Sequence, residues 1–111
     1  MSVANRRKHD RKKVRVRVTS VEGEKIHLGW TRDVGGGGLC LESEASMEEN
    51  KTLTLMFYLE KGVRVQAKGQ VVWVSDESEK PRLFGFCFKE ISEEDRQRVT
   101  GFVGRSSSAG H

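Results

Sequence analysis

Two arginines with three residues between them, Arg7 and Arg11, are the first side chains whose type and spacing could bind a ligand. A guanidinium is a planar fork of N–H donors that can hold a phosphate or the O6/N7 edge of a guanine, and it can stack on a purine. Both lie in a basic stretch, residues 6–17, where eight lysines and arginines are opposed only by Asp10. Taken alone, such a stretch is more often a solvated arm, and it could also bind nucleic acid non-specifically.

A run of four glycines, Gly35 to Gly38, follows Asp33 between two apolar alternating segments. Packing does not readily explain the run, because each glycine loses much backbone entropy on ordering. Glycine suits a tight turn or the close approach of a ligand to the backbone, and Asp33 can initiate a turn or accept hydrogen bonds from a guanine edge. The run is not a P-loop, since no Gly-Lys-Ser/Thr follows it. By itself it is a weak signal, and a plain tight turn is the default.

The other residues that could do chemistry are scattered. His9, His27 and His111 have no second ligand at metal spacing. Cys40 and Cys87 lie in apolar alternating segments, which favours two thiols packed in the core over nucleophiles; a single disulfide stays open. The acidic residues cluster in predicted loops and at a helix start, where solvation and capping explain them. We therefore expect no metal, no cofactor and no enzymatic activity.

Composition predicts one small soluble domain. The 111 residues are 35% hydrophobic and 32% charged, and the longest nearly apolar stretch, Leu53 to Leu59, is too short to cross a bilayer. No apolar run follows the N-terminal charges, so a secretory signal is not expected and a cytoplasmic location is. The net charge is +4, yet outside residues 6–17 the chain has 12 basic and 15 acidic residues. This asymmetry points to an anionic partner near the N-terminus.

Alternating apolar and polar residues predict six strands. They are residues 14–18, 25–31, 39–41, 52–59, 63–74 and 83–88. In the second strand Ile26, Leu28 and Trp30 share one face, and in the fifth Gly69 predicts a bulge or bend. Six strands separated by turns are typical of an antiparallel barrel or sandwich.

The period changes after the sixth strand. Ser92 is a predicted N-cap, and three acidic residues follow it in the first turn. A short helix is predicted from about Glu93 to Val103, with Gly104 ending it.

In this order the motifs resemble the PilZ family, in which Arg-x-x-x-Arg precedes Asp-x-Ser-x-x-Gly by some twenty residues. Here the two segments are Arg7–Arg11 and Asp33–Leu41. The similarity continues in Gly69–Val74, which resembles a later barrel strand of the family, and from Phe84 to Asp95, which resembles its last strand and helix start. The resemblance covers about residues 5–103, and its specificity lies in the order and spacing of short motifs.

The resemblance implies a six-stranded antiparallel β-barrel with a short C-terminal helix. Residues 1–12 would form a flexible basic arm, 13–104 the barrel with its helix, and 105–111 a disordered tail. The implied ligand is cyclic di-GMP, bound as a single molecule or as an intercalated dimer.

The resemblance also implies roles for particular residues. Arg7 and Arg11 would hold guanine and phosphate, and Asp33 would bind a guanine edge. Gly38 would let the backbone approach the ligand, and Arg6 could add a contact.

Two further positions bear on the implied site. Trp73 lies where some members place a residue against the nucleotide, although packing in the barrel is an equal alternative. Gly35 replaces the family's serine, and the lost hydroxyl should weaken binding roughly three- to tenfold. The candidate ligand-binding residues are Arg6, Arg7, Arg11, Asp33, Gly35, Gly38 and Trp73.

The sequence thus predicts a bacterial second-messenger receptor that binds cyclic di-GMP, reorders its arm and signals to a downstream protein in motility or biofilm formation. It is expected to be monomeric or homodimeric, without membrane insertion or nucleic-acid binding. The alternative is a degenerate PilZ-like adaptor of motility or pilus machinery with weak or no nucleotide binding. Nucleic-acid binding through the arm is a third possibility.

Overall fold

The structure, a computed structural model, describes residues 11–78 and 80–109, which contain seven strands, one α-helix and a short 3-10 helix at Glu60–Gly62. The elements are β1 (Arg11–Lys13), β2 (Arg17–Glu22), β3 (Lys25–Gly35), β4 (Gly38–Ser43), β5 (Thr52–Tyr58), β6 (Arg64–Val74), β7 (Arg82–Ile91) and α1 (Glu93–Ala109).

The strands form a closed antiparallel barrel. Its order is β3-β2-β5-β6-β7-β4, and β4 pairs with β3 to close the ring. The short β1 pairs with the C-terminal part of β3, on the same edge of β3 as β2. The prediction of a six-stranded antiparallel barrel is confirmed, with one additional strand.

Alternation along the strands fills the barrel with apolar side chains. Phe57, Phe84 and Leu55 are at most 1% exposed, and Val99 and Phe102 of α1 extend the same core. The Ser92 hydroxyl caps α1 by accepting a hydrogen bond from the Asp95 N–H at 3.0 Å, as the sequence predicts. No helix in the described residues is long and apolar enough to span a bilayer.

The predicted bend at Gly69 coincides with a change in register between β6 and β7. Gly69 faces inward, and a Cβ there would lie 2.7 Å from the Leu55 Cδ1 atom. Glycine at this position therefore permits close packing where the strand bends.

The first predicted strand, residues 14–18, is interrupted in the structure, so its predicted bounds are wrong. The Thr31 hydroxyl accepts a hydrogen bond from the Val16 N–H at 2.9 Å and donates one to the Val14 carbonyl. Between β1 and β2 the chain has one residue more than β3 has opposite it, which is a bulge. Alternating valines do not reveal it, because the bulge depends on a threonine distant in sequence.

Regular structure extends further at both ends than predicted. Arg11 and Lys12, assigned to a flexible arm, belong to β1. Helix α1 continues through Gly104 to Ala109, so Gly104 does not end it and residues 105–109 are helical rather than a disordered tail. A glycine inside a helix costs only about 1 kcal/mol relative to alanine, which packing of the preceding turns can offset.

Candidate functional site

An ion pair between Arg11 and Asp33 lies on the outer face of the barrel. The β1–β3 pairing sets Arg11 opposite Gly35 and Lys13 opposite Asp33. The Arg11 Nε atom donates to Asp33 Oδ1 at 2.8 Å, and its Nη2 atom donates to the same oxygen. The two side chains are 46% and 29% exposed, so a ligand could reach both. The structure thus brings together two of the predicted site residues.

Strand register connects Asp33 to Trp73 across the sheet. Asp33 pairs with Cys40, Cys40 with Gly85, and Gly85 with Trp73. Directly opposed residues in an antiparallel sheet place their side chains on the same face. The row spans three strand spacings, or roughly 14 Å. Asp33 and Trp73 are therefore the two ends of one strip on the outer surface.

Trp73 lies flat against β7, outside the barrel. A Cβ at Gly85 would lie 2.0 Å from the indole Nε1 of Trp73, so the ring occupies the space above this glycine. A register change between Val71 and Trp73 turns both Val72 and Trp73 outward, and Trp73 is 43% exposed. Trp73 therefore packs on the outer wall of the barrel and not in its interior. An exposed indole is a surface on which a purine can stack.

The glycine run forms the tight turn between β3 and β4. Gly35 pairs with Gly38, and the Gly37 carbonyl accepts the Phe88 N–H at 2.9 Å. A Cβ at Gly38 would lie 1.9 Å from the Phe86 carbonyl oxygen. Contact between the β4 and β7 backbones therefore accounts for glycine at position 38, whatever role it has toward a ligand.

Helix α1 contacts the glycine turn and β1, which the sequence did not indicate. Arg96 Nη1 donates to the Gly36 carbonyl at 2.7 Å, and Lys12 Nζ lies 3.9 Å from the Phe102 ring centroid. Arg96 carried no signal in the sequence beyond its place in a predicted helix. The glycine turn and β1, which carries Arg11, thus both contact α1.

The two cysteines lie on this outer surface and both are free. Cys40 is buried beneath its neighbours, and burial raises the pKa of its thiol, with the Asp33 carboxylate raising it further. Cys87 is partly exposed and pairs with Gly38. The expectation of two buried free thiols is confirmed for Cys40, whereas Cys87 is only partly buried.

A second ion-pair cluster adjoins the site on β4. Glu42 accepts hydrogen bonds from Arg32 Nε at 2.6 Å and from Arg15 Nη1 at 3.3 Å. Mainly through the bond from Arg32, and also through that from Arg15, the pKa of the Glu42 carboxyl is held below its usual range. This cluster joins β4 to β3 and to the bulge before β2.

Arg6 and Arg7 lie outside the described residues, so their predicted roles stay predictions. Within residues 11–78 and 80–109, no group of three or more histidine, cysteine or acidic side chains could hold a metal ion.

The comparisons with known proteins agree on one family. A sequence model of the PilZ domain matches residues 5–105. A search of curated protein sequences gave no significant match.

Among solved structures, the Bacillus subtilis inhibitor of motility MotI/DgrA is similar with a TM-score of 0.84 and 17% identity, over 95% of this chain and 53% of that one. YcgR from Escherichia coli in complex with c-di-GMP is similar with a TM-score of 0.78 and 12% identity, over 93% of this chain and 46% of that one. The PilZ domain of CeSA from a cellulose-synthesizing bacterium is similar with a TM-score of 0.66 and 16% identity, over 88% of this chain and 98% of that one. At these identities the likeness concerns the fold. The chain spans about half the length of the first two proteins.

Proposed function

Because the chain belongs to the PilZ domain family, we propose that it is a cytoplasmic receptor that binds cyclic di-GMP and performs no chemistry on it. The observation that carries this proposal is the exposed Arg11–Asp33 ion pair beside the glycine turn. A similar structure, that of YcgR, is a complex with this nucleotide.

In the proposed binding mode, an ion pair within the protein is replaced by contacts between the protein and the ligand. Arg11 leaves Asp33 to hold a phosphate or the O6/N7 edge of a guanine, and Asp33 accepts hydrogen bonds from guanine N1–H and N2–H₂. Because the pair is surface-exposed, breaking it costs about 1 kcal/mol or less. Charge-assisted bonds to the ligand, about 1.5–3 kcal/mol each, offset that cost.

Other predicted site residues complete the proposed site. In the proposal, Arg7 and Arg6 add positive charge against the two phosphates of the ligand. Trp73 offers a stacking surface at the far end of the strip. Gly35, in the place of the family's serine, lacks a hydroxyl donor, so affinity is lower than a serine would give.

The proposed signal is a change in the conformation of residues 1–12 on binding, presented to a downstream protein. Two contacts support the involvement of α1: Lys12 lies on Phe102, and Arg96 bonds the Gly36 carbonyl. Movement of Arg11 from Asp33 to the ligand would shift the adjoining Lys12.

Calorimetric titration with cyclic di-GMP tests the proposal. We expect Arg11→Ala and Asp33→Ala each to weaken binding about tenfold or more, since each removes a charge-assisted hydrogen bond. Arg64→Ala is the matched control, because Arg64 is an exposed arginine that bonds Gln66 on β6, away from the strip. Absence of binding heat at high micromolar nucleotide would overturn the proposal.

The second candidate is a PilZ-like adaptor that works through protein contacts alone. Gly35 favours it, because the missing hydroxyl is a step towards lost nucleotide recognition. Its signature is a partner interaction unaffected by adding or removing cyclic di-GMP. Retention of Arg11 and Asp33 as an exposed pair makes the receptor the better-supported function.

A further inference from the structure

Arg96 of α1 reaches the corner of the glycine turn, 60 positions away in the sequence. The corner consists of Gly36 and Gly37, the two residues between β3 and β4, and Gly36 is buried. The Arg96 Nη1 atom donates to the Gly36 carbonyl at 2.7 Å, and the Phe88 N–H donates to the Gly37 carbonyl at 2.9 Å. Both corner carbonyls are therefore held by groups that lie outside the turn.

The corner depends on these two hydrogen bonds to keep one conformation. Among the described residues the glycines with positive φ are Gly23 and Gly62, so neither Gly36 nor Gly37 is left-handed. Glycine loses more conformational freedom on ordering than any other residue, and it has no side chain that could pack and fix the turn. Loss of either bond should therefore leave the corner with several accessible conformations.

Packing of α1 on the barrel determines where Arg96 lies. Val99 and Val103 follow it by three and seven positions, which places all three on one face of the helix. Val99 and Val103 are 0% and 2% exposed, and Arg96 is half-buried. The Arg96 N–H also bonds the Ser92 carbonyl at 2.9 Å. The guanidinium thus extends from a well-packed part of the helix.

The charge of Arg96 lies beside the turn without a paired carboxylate. Within the described part of the chain no acidic residue forms an ion pair with Arg96, whereas Arg98 pairs with two acidic residues of the same helix. A hydrogen bond from a charged donor is roughly twice as strong as one from a neutral donor. The bonded Gly36 carbonyl directly follows Gly35, which lies opposite Arg11 of β1.

We propose that Arg96 is a positioning residue of the nucleotide site. By holding the Gly36 carbonyl, it keeps the glycine turn in the conformation that cyclic di-GMP binds, so the affinity depends on the docking of α1. A turn that is ordered before binding does not have to be ordered by the ligand, and less of the binding free energy is lost. This role rests on the proposed function, because it concerns the same site.

Calorimetric titration of Arg96 variants with cyclic di-GMP tests the proposal. Arg96→Met keeps the apolar stem without a donor, and we expect its affinity to fall roughly tenfold, which corresponds to the cost of ordering about one residue. Arg96→Lys, a milder change that retains a charged donor, should lie between Arg96→Met and the wild type. Arg98→Met is the matched control, because Arg98 is an exposed arginine whose ion pairs are within α1; it should bind as the wild type does.

Amide hydrogen exchange of the free protein separates positioning of the turn from general stability. The Phe88 N–H reports on the turn, since it bonds the Gly37 carbonyl. In Arg96→Met we expect this amide to exchange about tenfold faster than in Arg98→Met, with the amides of β5 exchanging at the same rate in both variants. A purely structural role would raise exchange in β5 as well.

Three outcomes would overturn the positioning role while the receptor stands. Arg96→Met could bind as tightly as the wild type, or it could bind weakly without faster exchange at Phe88, in which case Arg96 acts on the ligand directly. Arg96→Lys could also bind more weakly than Arg96→Met. Absence of binding heat in the wild type would instead refute the proposed function, and the positioning role with it.

Discussion

Arg11 and Asp33 satisfy each other's charges on the barrel surface, and in the proposed receptor the nucleotide offers both of them other partners. Neither is buried, so the pair contributes little to stability and can be opened at small cost. A guanine nucleotide supplies an acceptor for the arginine and a donor edge for the carboxylate. The same pair can therefore be closed in the free protein and serve as a binding site.

Restoring the missing hydroxyl should strengthen nucleotide binding. In Gly35→Ser we expect affinity for cyclic di-GMP to rise roughly three- to tenfold, because one hydrogen bond to the ligand is gained. Gly35→Ala, which adds the Cβ without the hydroxyl, is the control and should not rise. Equal calorimetric affinities for the serine and alanine variants would contradict a role for the hydroxyl.

Gly38 should matter for folding as well as for any ligand. In Gly38→Ala the new Cβ would lie 1.9 Å from the Phe86 carbonyl oxygen, so β4 and β7 must separate. We expect a loss of about 1–3 kcal/mol in the free energy of unfolding, measured by denaturant titration.

Gly104→Ala is the contrasting variant for this measurement. Position 104 is exposed within α1 and a Cβ there meets nothing within 4 Å, so a gain of up to about 1 kcal/mol is expected. A stable Gly38→Ala protein would show that the turn tolerates side chains.

Individual residues were predictable from the sequence where a motif carried them. Arg11 and Asp33 lie 22 positions apart and meet as the motif order implied. The position of Trp73 on the same strip was not predictable. It depends on the outward turn at Val72 and on the absence of a side chain at Gly85, both of which are properties of strand register.

At the scale of elements, alternation located five of the six barrel strands, β3 to β7, since each has one buried face. Alternation did not predict which face of a strand points into the barrel. Ile26, Leu28 and Trp30 would fill a core by pattern alone, yet they face outward on a hairpin that extends beyond β4. Glycine at position 104 predicts the end of α1, but the helix continues to Ala109. The packing of Val99 and Phe102 in the core holds the turns that precede Gly104.

The ion-pair cluster of Glu42 with Arg32 and Arg15, which joins β4 to β3, should make the free energy of unfolding depend on pH in the acid range. The folded-state pKa of Glu42 lies below its unfolded value, so its contribution is complete above the unfolded pKa, about 4.3. It is lost as the pH falls through the lowered folded-state pKa. We expect Glu42→Gln to cost about 1 kcal/mol or less near pH 7, because both arginines are largely exposed.

Thermal unfolding across a pH series measures this effect. The wild type and Glu42→Gln should differ near neutrality and converge in acid, whereas Glu44→Gln, at an exposed neighbouring glutamate, should follow the wild type throughout. A difference that persists unchanged below the folded-state pKa would mean that the carboxylate charge is not its source.

At the scale of the whole molecule, one barrel places two surfaces on a single strand. The C-terminal end of β3 carries Asp33 and leads into the glycine turn, and its N-terminal half exposes Ile26, Leu28 and Trp30. The segment from Arg11 to Arg17 contacts both.

The location of the bound nucleotide is the most direct test, and backbone amide NMR during titration with cyclic di-GMP measures it. We predict the largest shifts in residues 11–13 and 33–38, with a change in the Trp73 indole signal. Amides of residues 64–66, on β6 away from the strip, should not move. Saturation that leaves Arg11 and Asp33 unshifted, or that shifts residues 64–66 instead, would contradict the account.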